Sequence, residues 1–205
     1  GGNITQLEKL PVLELDEEKY IKNVEMWIEE VINLIQKNES LSWQEVLIET
    51  GKLLFYKIYM DKNRDSRQKN SKQFINETLE RLIPVNGYSD QIMLTEKTLT
   101  AVTDIFSYIN LESVSAVKRL SAFDRIILKY RTKNHNEFTL PELVPEIMEK
   151  VFRSKLEQAV TVFDGCSGIG QFLTAAKRTS PGSEVYGMES NQRSVMLALL
   201  RAVIG

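Results

Sequence analysis

Ala159-Val160-Thr161-Val162-Phe163-Asp164-Gly165-Cys166-Ser167-Gly168-Ile169-Gly170-Gln171-Phe172-Leu173 decides the fold of this 205-residue chain. An apolar run ends in an acid, a small-residue loop follows, and an apolar helix begins at about Gln171. That order is the strand–loop–helix cradle of a doubly wound nucleotide-cofactor fold. A strand ending at Asp164 delivers its carboxylate to the carboxyl edge of the sheet, where open α/β folds bind ligands. Gly168 and Gly170 lack Cβ, so the backbone can turn sharply and approach a ligand. The helix, read as Gln171 to Lys177, offers its first N–H groups to that ligand.

A second unit of the same kind follows. Pro181-Gly182-Ser183 turns into a strand at Glu184-Val185-Tyr186-Gly187-Met188, which ends in Glu189. An acid there is placed for ribose hydroxyls, with helix capping as the alternative. A further helix, about Gln192 to Val203, carries Val195, Met196, Leu199, Leu200 and Val203 at helical spacing. A dinucleotide fingerprint would need a third glycine where Leu173 stands. The pattern is D-x-x-x-G-x-G instead, and it resembles the S-adenosylmethionine loop of class I methyltransferases.

The resemblance is sharper for one group. Residues 164–173 look like the D-P-x-C-G-S-G-x-F-L loop of adenine-N6 DNA methyltransferases, which include the modification subunits of type I restriction-modification systems. Glu137-Phe138-Thr139-Leu140-Pro141, with Val144, Ile147 and Met148 after it, is similar to the family's F-T-P segment. Tyr186-Gly187-Met188-Glu189-Ser190-Asn191 resembles its G-x-E-x-N segment. Gly165, Ser167 and Ile169 replace the usual Pro, Cys and Ser, and Leu140 stands between Thr139 and Pro141. The resemblance covers about residues 123–205.

It implies an α/β class I (Rossmann-like) catalytic domain that uses S-adenosylmethionine. Asp164, Gly165, Ser167, Gly168, Gly170 and Phe172 would form the loop of the pocket. Glu189 would hold the ribose, and Phe138 and Thr139 would close over the cofactor. It implies DNA as substrate, with a specificity subunit and a restriction subunit as partners.

The family transfers the methyl group with an Asn/Asp-Pro-Pro-aromatic segment that holds a flipped adenine. The sequence contains no such tetrapeptide; its prolines are Pro11, Pro84, Pro141, Pro145 and Pro181, none adjacent to another. No catalytic residue is therefore assigned. The chain reads as the front part of a longer enzyme, or a shortened relative, inactive by itself and stopping after the second strand and helix. Gly1-Gly2 reads as a tag remnant or a processed start. A non-catalytic assembly module from such an enzyme is the alternative; its open sheet would be covered by a partner or a second copy. A methyltransferase acting on RNA, protein or a small molecule is a third reading, opposed by the Phe138-Thr139 segment.

Upstream, residues 1–135 read as a helical N-terminal domain, with residues 136–205 as the first part of the catalytic domain. Tyr20, Val24, Trp27, Ile28, Val31 and Ile35 make an apolar stripe over 16–37. Ser42 and Glu45 form a capping box for a helix to about Met60. A polar loop is expected over 61–70, and further helices over 71–82, 95–109 and 115–130. Thr132 to Glu137 reads as a connector, holding the sole histidine, His135. A sixth helix runs from Pro141 to about Phe152. The aromatics Trp27, Trp43, Phe55, Tyr56, Tyr59, Phe106 and Tyr108 fall mostly at core spacing.

Composition bounds the rest. Net charge is −2 and the pI near 5.7, unlike a freestanding nucleic-acid binder. Two basic groups, Lys62, Arg64, Arg67, Lys69, Lys72 and Lys118, Arg119, Arg125, Lys129, Arg131, Lys133, are either phosphate contacts or solvated surface. A single cysteine, Cys166, excludes an internal disulfide and fits a reducing cytoplasm. No run reaches the roughly 18 apolar residues of a membrane span. No metal-ligand spacing occurs.

Overall fold

A computed structural model describes residues 17–63, 71–83, 91–134, 143–152 and 160–205. Five helices come first: α1 (Glu17–Asn38), α2 (Trp43–Asn63), α3 (Lys72–Leu82), α4 (Glu96–Ser107) and α5 (Ala116–Asn134). Then follow α6 (Leu143–Phe152), β1 (Thr161–Asp164), α7 (Gln171–Thr179), β2 (Glu184–Gly187) and α8 (Gln192–Ile204).

The starts of the helices follow from short polar residues. Ser42 Oγ accepts from Glu45 N at 3.3 Å, and Ser42 N donates back to Glu45 Oε2 at 2.8 Å, a reciprocal capping box. Ser71, Thr95 and Asn191 cap α3, α4 and α8. The first residues of two expected loops, 61–63 and 132–134, are helical instead. Helix α2 continues through Asp61 to Asn63, because the Asp61 carboxylate takes Lys57 one turn back and the Leu111 N–H at 2.8 Å. Helix α5 continues to Asn134, with no glycine or proline to stop it. Tyr108, expected in the core, is 62% exposed, because α4 ends at Ser107.

Strands β1 and β2 pair in parallel, Thr161 opposite Glu184 and Asp164 opposite Gly187. Alternation along them sends Val162 and Val185 onto a small core with Val144 and Met148 of α6 and Ala175 and Ala176 of α7. The opposite face carries Phe163 (62% exposed), Tyr186 (53%) and Met188 (61%).

Helix α8 belongs to the larger core. Met196, Leu197, Leu200 and Ile204 join the buried cluster of α1–α5. The helix is turned by about a residue from its expected orientation, with Val195 and Leu199 off the buried face. Its crossing of α2 is close because Gly51 has no side chain: a Cβ there would lie 2.8 Å from Leu200 Cδ1 and 3.1 Å from Phe123 Cζ. Arg193 reaches Glu45 at 2.9 Å at one end of the crossing, and Arg119 Nε donates to Ile204 O at 3.1 Å beyond the other.

Candidate cofactor site

The β1–α7 and β2–α8 loops are laced together by backbone and carboxylate bonds. Met188 N donates to Asp164 O at 2.9 Å, continuing the strand ladder one residue. Ser167 N donates to Met188 O at 2.9 Å, and Ser167 Oγ reaches the same carbonyl at 3.2 Å. Gly187 permits this approach: a Cβ would lie 2.6 Å from Leu173 Cδ1 and 2.9 Å from Ser167 Cβ.

Glu189 is the clasp. Its Oε2 accepts from Gly168 N at 2.9 Å and its Oε1 from Asn191 N at 2.7 Å. The bond from Asn191, with smaller help from Gly168 and Ser190, holds its carboxyl below the usual value of 4.5. Glu189 thus braces the entry to α8 from a position two residues past the end of β2. A lowered folded value means that this contribution is full above pH 4.5 and is lost as pH falls through the lower folded pKa. An acid titration followed at the Gly168 and Asn191 amides is expected to show a shared midpoint below 4.5. A midpoint at or above that value would remove the clasp.

The two loop glycines have different duties. A Cβ on Gly168 (φ 51°) would meet nothing within 4 Å, so this left-handed turn faces open space. Gly170 (φ 72°) is N-cap of α7, and a Cβ there would lie 3.1 Å from Ala198 Cβ. Gly165 is under no such constraint, its nearest contact being Phe163 Cε1 at 3.6 Å. Phe172 packs against the small core under the sheet. Asp164 Oδ1 accepts from Cys166 N at 3.1 Å, whereas Oδ2 is buried with no hydrogen-bond partner among the described residues. Gln171, 5% exposed, has a buried Nε2 in the same condition.

Ser167, Gly170 and Glu189 line one open groove of about 500 Å³, which continues along Leu173, Val185 and Leu199. Asp164, Gly165, Gly168 and Phe172 lie in the same loop but off that lining. Phe138 and Thr139 lie outside the described residues, as does His135. A buried unsatisfied acceptor at the strand end and an open left-handed glycine beside it suit a ligand that carries donors and approaches the backbone closely.

Sequence reasoning missed the support beneath the loop. Arg201, 1% exposed, forks onto Asp124 of α5, Nε to Oδ1 at 2.6 Å and Nη2 to Oδ2 at 2.8 Å. Its remaining nitrogen, Nη1, donates to the Ile169 carbonyl at 2.7 Å. The available signal was an arginine one turn past Leu197 on an apolar helix, which needs a buried acceptor.

The basic groups are largely engaged. Arg119 Nη1 donates to the Leu111 and Val114 carbonyls, Arg125 pairs with Glu25 at 2.8 Å and Lys129 with Glu29 at 2.7 Å. Lys72 donates to Leu94 O at 2.7 Å. Arg64, Arg67 and Lys69 lie outside the described residues. Among the described residues no group of three His, Cys, Asp or Glu could hold a metal ion, and no helix is long and apolar enough to cross a membrane.

No protein-family model and no curated protein matches the sequence. Solved structures do share the fold. One, from Listeria monocytogenes and assigned as a class I S-adenosylmethionine-dependent methyltransferase, superposes with a TM-score of 0.60 at 16% identity, over 91% of this chain and 50% of that one. Another is the methyltransferase subunit of a type I restriction-modification system from Streptococcus thermophilus, with a TM-score of 0.62 at 12% identity, over 90% of this chain and 56% of that one. The fold is thus one found in class I methyltransferases. The chain spans about half the length of these two proteins.

Proposed function

We propose that this chain is the cofactor-binding front portion of a DNA adenine-N6 methyltransferase of a restriction-modification system. The observation that carries the reading is the pair of parallel strands that lead into Asp164 and, two residues past β2, Glu189, with Gly168 turned to open space beside them. S-adenosylmethionine, when bound, supplies a methyl group activated on a sulfonium. Asp164 Oδ2 would accept a hydrogen bond from the methionine end. Glu189 would take ribose hydroxyls on the lone pairs that Gly168 and Asn191 leave open. Phe138 and Thr139 would close the site, and residues outside these 205 would hold the adenine. DNA, a specificity subunit and a restriction subunit are the partners of this reading, and the cytoplasm its compartment.

Calorimetric titration with S-adenosylmethionine tests it. Saturable binding is expected, weakened at least about ten-fold in Asp164→Ala, the equivalent of one charged hydrogen bond. A folded chain that binds no cofactor would refute a working cradle.

The exposed Phe163, Tyr186 and Met188 favour a second reading, a non-catalytic assembly module whose apolar sheet face is covered by another surface. Concentration-dependent self-association in light scattering, without cofactor binding, would select that reading.

A further inference from the structure

The glycine loop is a weak element by composition. Left-handed glycines flank Ile169 on both sides, at φ 51° and 72°, and glycine loses more backbone freedom on ordering than any other residue. Something must fix the segment between them. The two anchors found there lie in the packed helices, one in the α1–α5 cluster and one on α8, and not in the sheet.

The first is the Ile169 side chain, 2% exposed and part of the same buried cluster as α1–α5. The second is the Ile169 carbonyl, held by Arg201 Nη1 at 2.7 Å. Arg201 cannot swing away, because Asp124 of α5 occupies its other two nitrogens in a fork. A weaker strand of the same network runs from Arg201 Nη1 to Thr174 Oγ1 at 3.3 Å, and Thr174 Oγ1 donates to Gly170 O at 2.7 Å.

We infer that Arg201, oriented by Asp124, is the positioning residue of the glycine loop, so that the helical region sets the shape of the cofactor cradle. Arg201 is 1% exposed and holds the Ile169 carbonyl, whereas the position of a Cβ on Gly168 is open, so Arg201 need not meet the ligand. The inference deepens the methyltransferase reading and rests on it for the identity of the ligand, although the loop's order can be measured without one.

The test uses two variants. Asp124→Leu with Arg201→Met removes both charges and keeps apolar volume, and such replacements of buried pairs are often neutral or stabilising for the fold. Arg201→Lys keeps a positive charge beside Asp124 but loses the planar fork that reaches two acceptors at once. Amide hydrogen exchange is read at Gly168 and Gly170, together with S-adenosylmethionine affinity and the thermal midpoint. Both variants are expected to exchange at those amides about ten-fold faster than wild type, reflecting a lost charged hydrogen bond. Cofactor affinity should fall by a similar factor, with the double variant's melting little changed. Wild-type exchange at both amides in a folded variant would overturn the inference and leave Arg201 a purely structural residue. If the double variant does not fold, Arg201→Lys decides by the same amides. If wild type binds no cofactor, the methyltransferase reading fails, and the exchange result still judges the positioning role.

Discussion

Arg201→Ala is expected to lower the unfolding free energy by about 3–5 kcal/mol, as removal of one partner of a buried ion pair does. Asp124 is 8% exposed, so the truncation leaves a carboxylate that water reaches poorly, without its two short bonds. It also leaves the Ile169 carbonyl without its donor and opens a cavity among α5, α8 and the loop. Domains are typically stable by only about 5–15 kcal/mol, so much of the total is at stake. Denaturant unfolding of the two proteins measures the difference. A loss under about 1 kcal/mol would mean that the pair is solvated in solution, and the support assigned to it would have to be withdrawn.

Gly187→Val is expected to abolish detectable cofactor binding and to cost about 1–3 kcal/mol of stability through overpacking. Leu173 can rotate away from the new Cβ, but Ser167 cannot. Its Cβ would be 2.9 Å distant, and its N–H is committed to Met188 O at 2.9 Å. Strand β2 cannot withdraw either, because Met188 N is bonded to Asp164 O and the register to β1 runs up to Gly187 itself. The strain therefore moves the loop. Gly165→Ala is the control for overpacking alone, since its Cβ meets only Phe163 Cε1 at an ordinary 3.6 Å and its φ is not in the left-handed range. Titration of Gly187→Val and melting of both variants check the expectation. Wild-type affinity in Gly187→Val would show that the loop tolerates displacement and that the close approach is incidental to the site.

The local periodicities of this chain were readable, and its tertiary choices were not. Both strands, the loop and the helices α7 and α8 lie where an apolar run, two acids and two glycines place them. The Ser42–Glu45 box and the Ser71 cap are side-chain chemistry within three residues, which sequence states directly. Asp61 and Asp124 were beyond reach because their partners sit far along the chain: Leu111 for one, Arg201 for the other. The buried face of α8 escapes the sequence for the same reason. Its apolar residues run nearly all round, and only contact with α2 selects Leu197 and Ile204 over Val195 and Leu199. Ile169, which departs from the serine of the resembling loops, acquires a reason in three dimensions, as an apolar side chain seated in the helical core.

That seat has a consequence for anyone who would exchange parts between relatives. A cut at the interhelical connector near residue 135 looks clean in the sequence, yet it severs Asp124 from Arg201 and removes the socket that receives Ile169. A chimera joined there would inherit a loop shaped for one set of helices and be given another. The smaller transferable unit begins no later than α5, and the helix that receives α8 must carry a residue as small as Gly51 of α2 at the crossing.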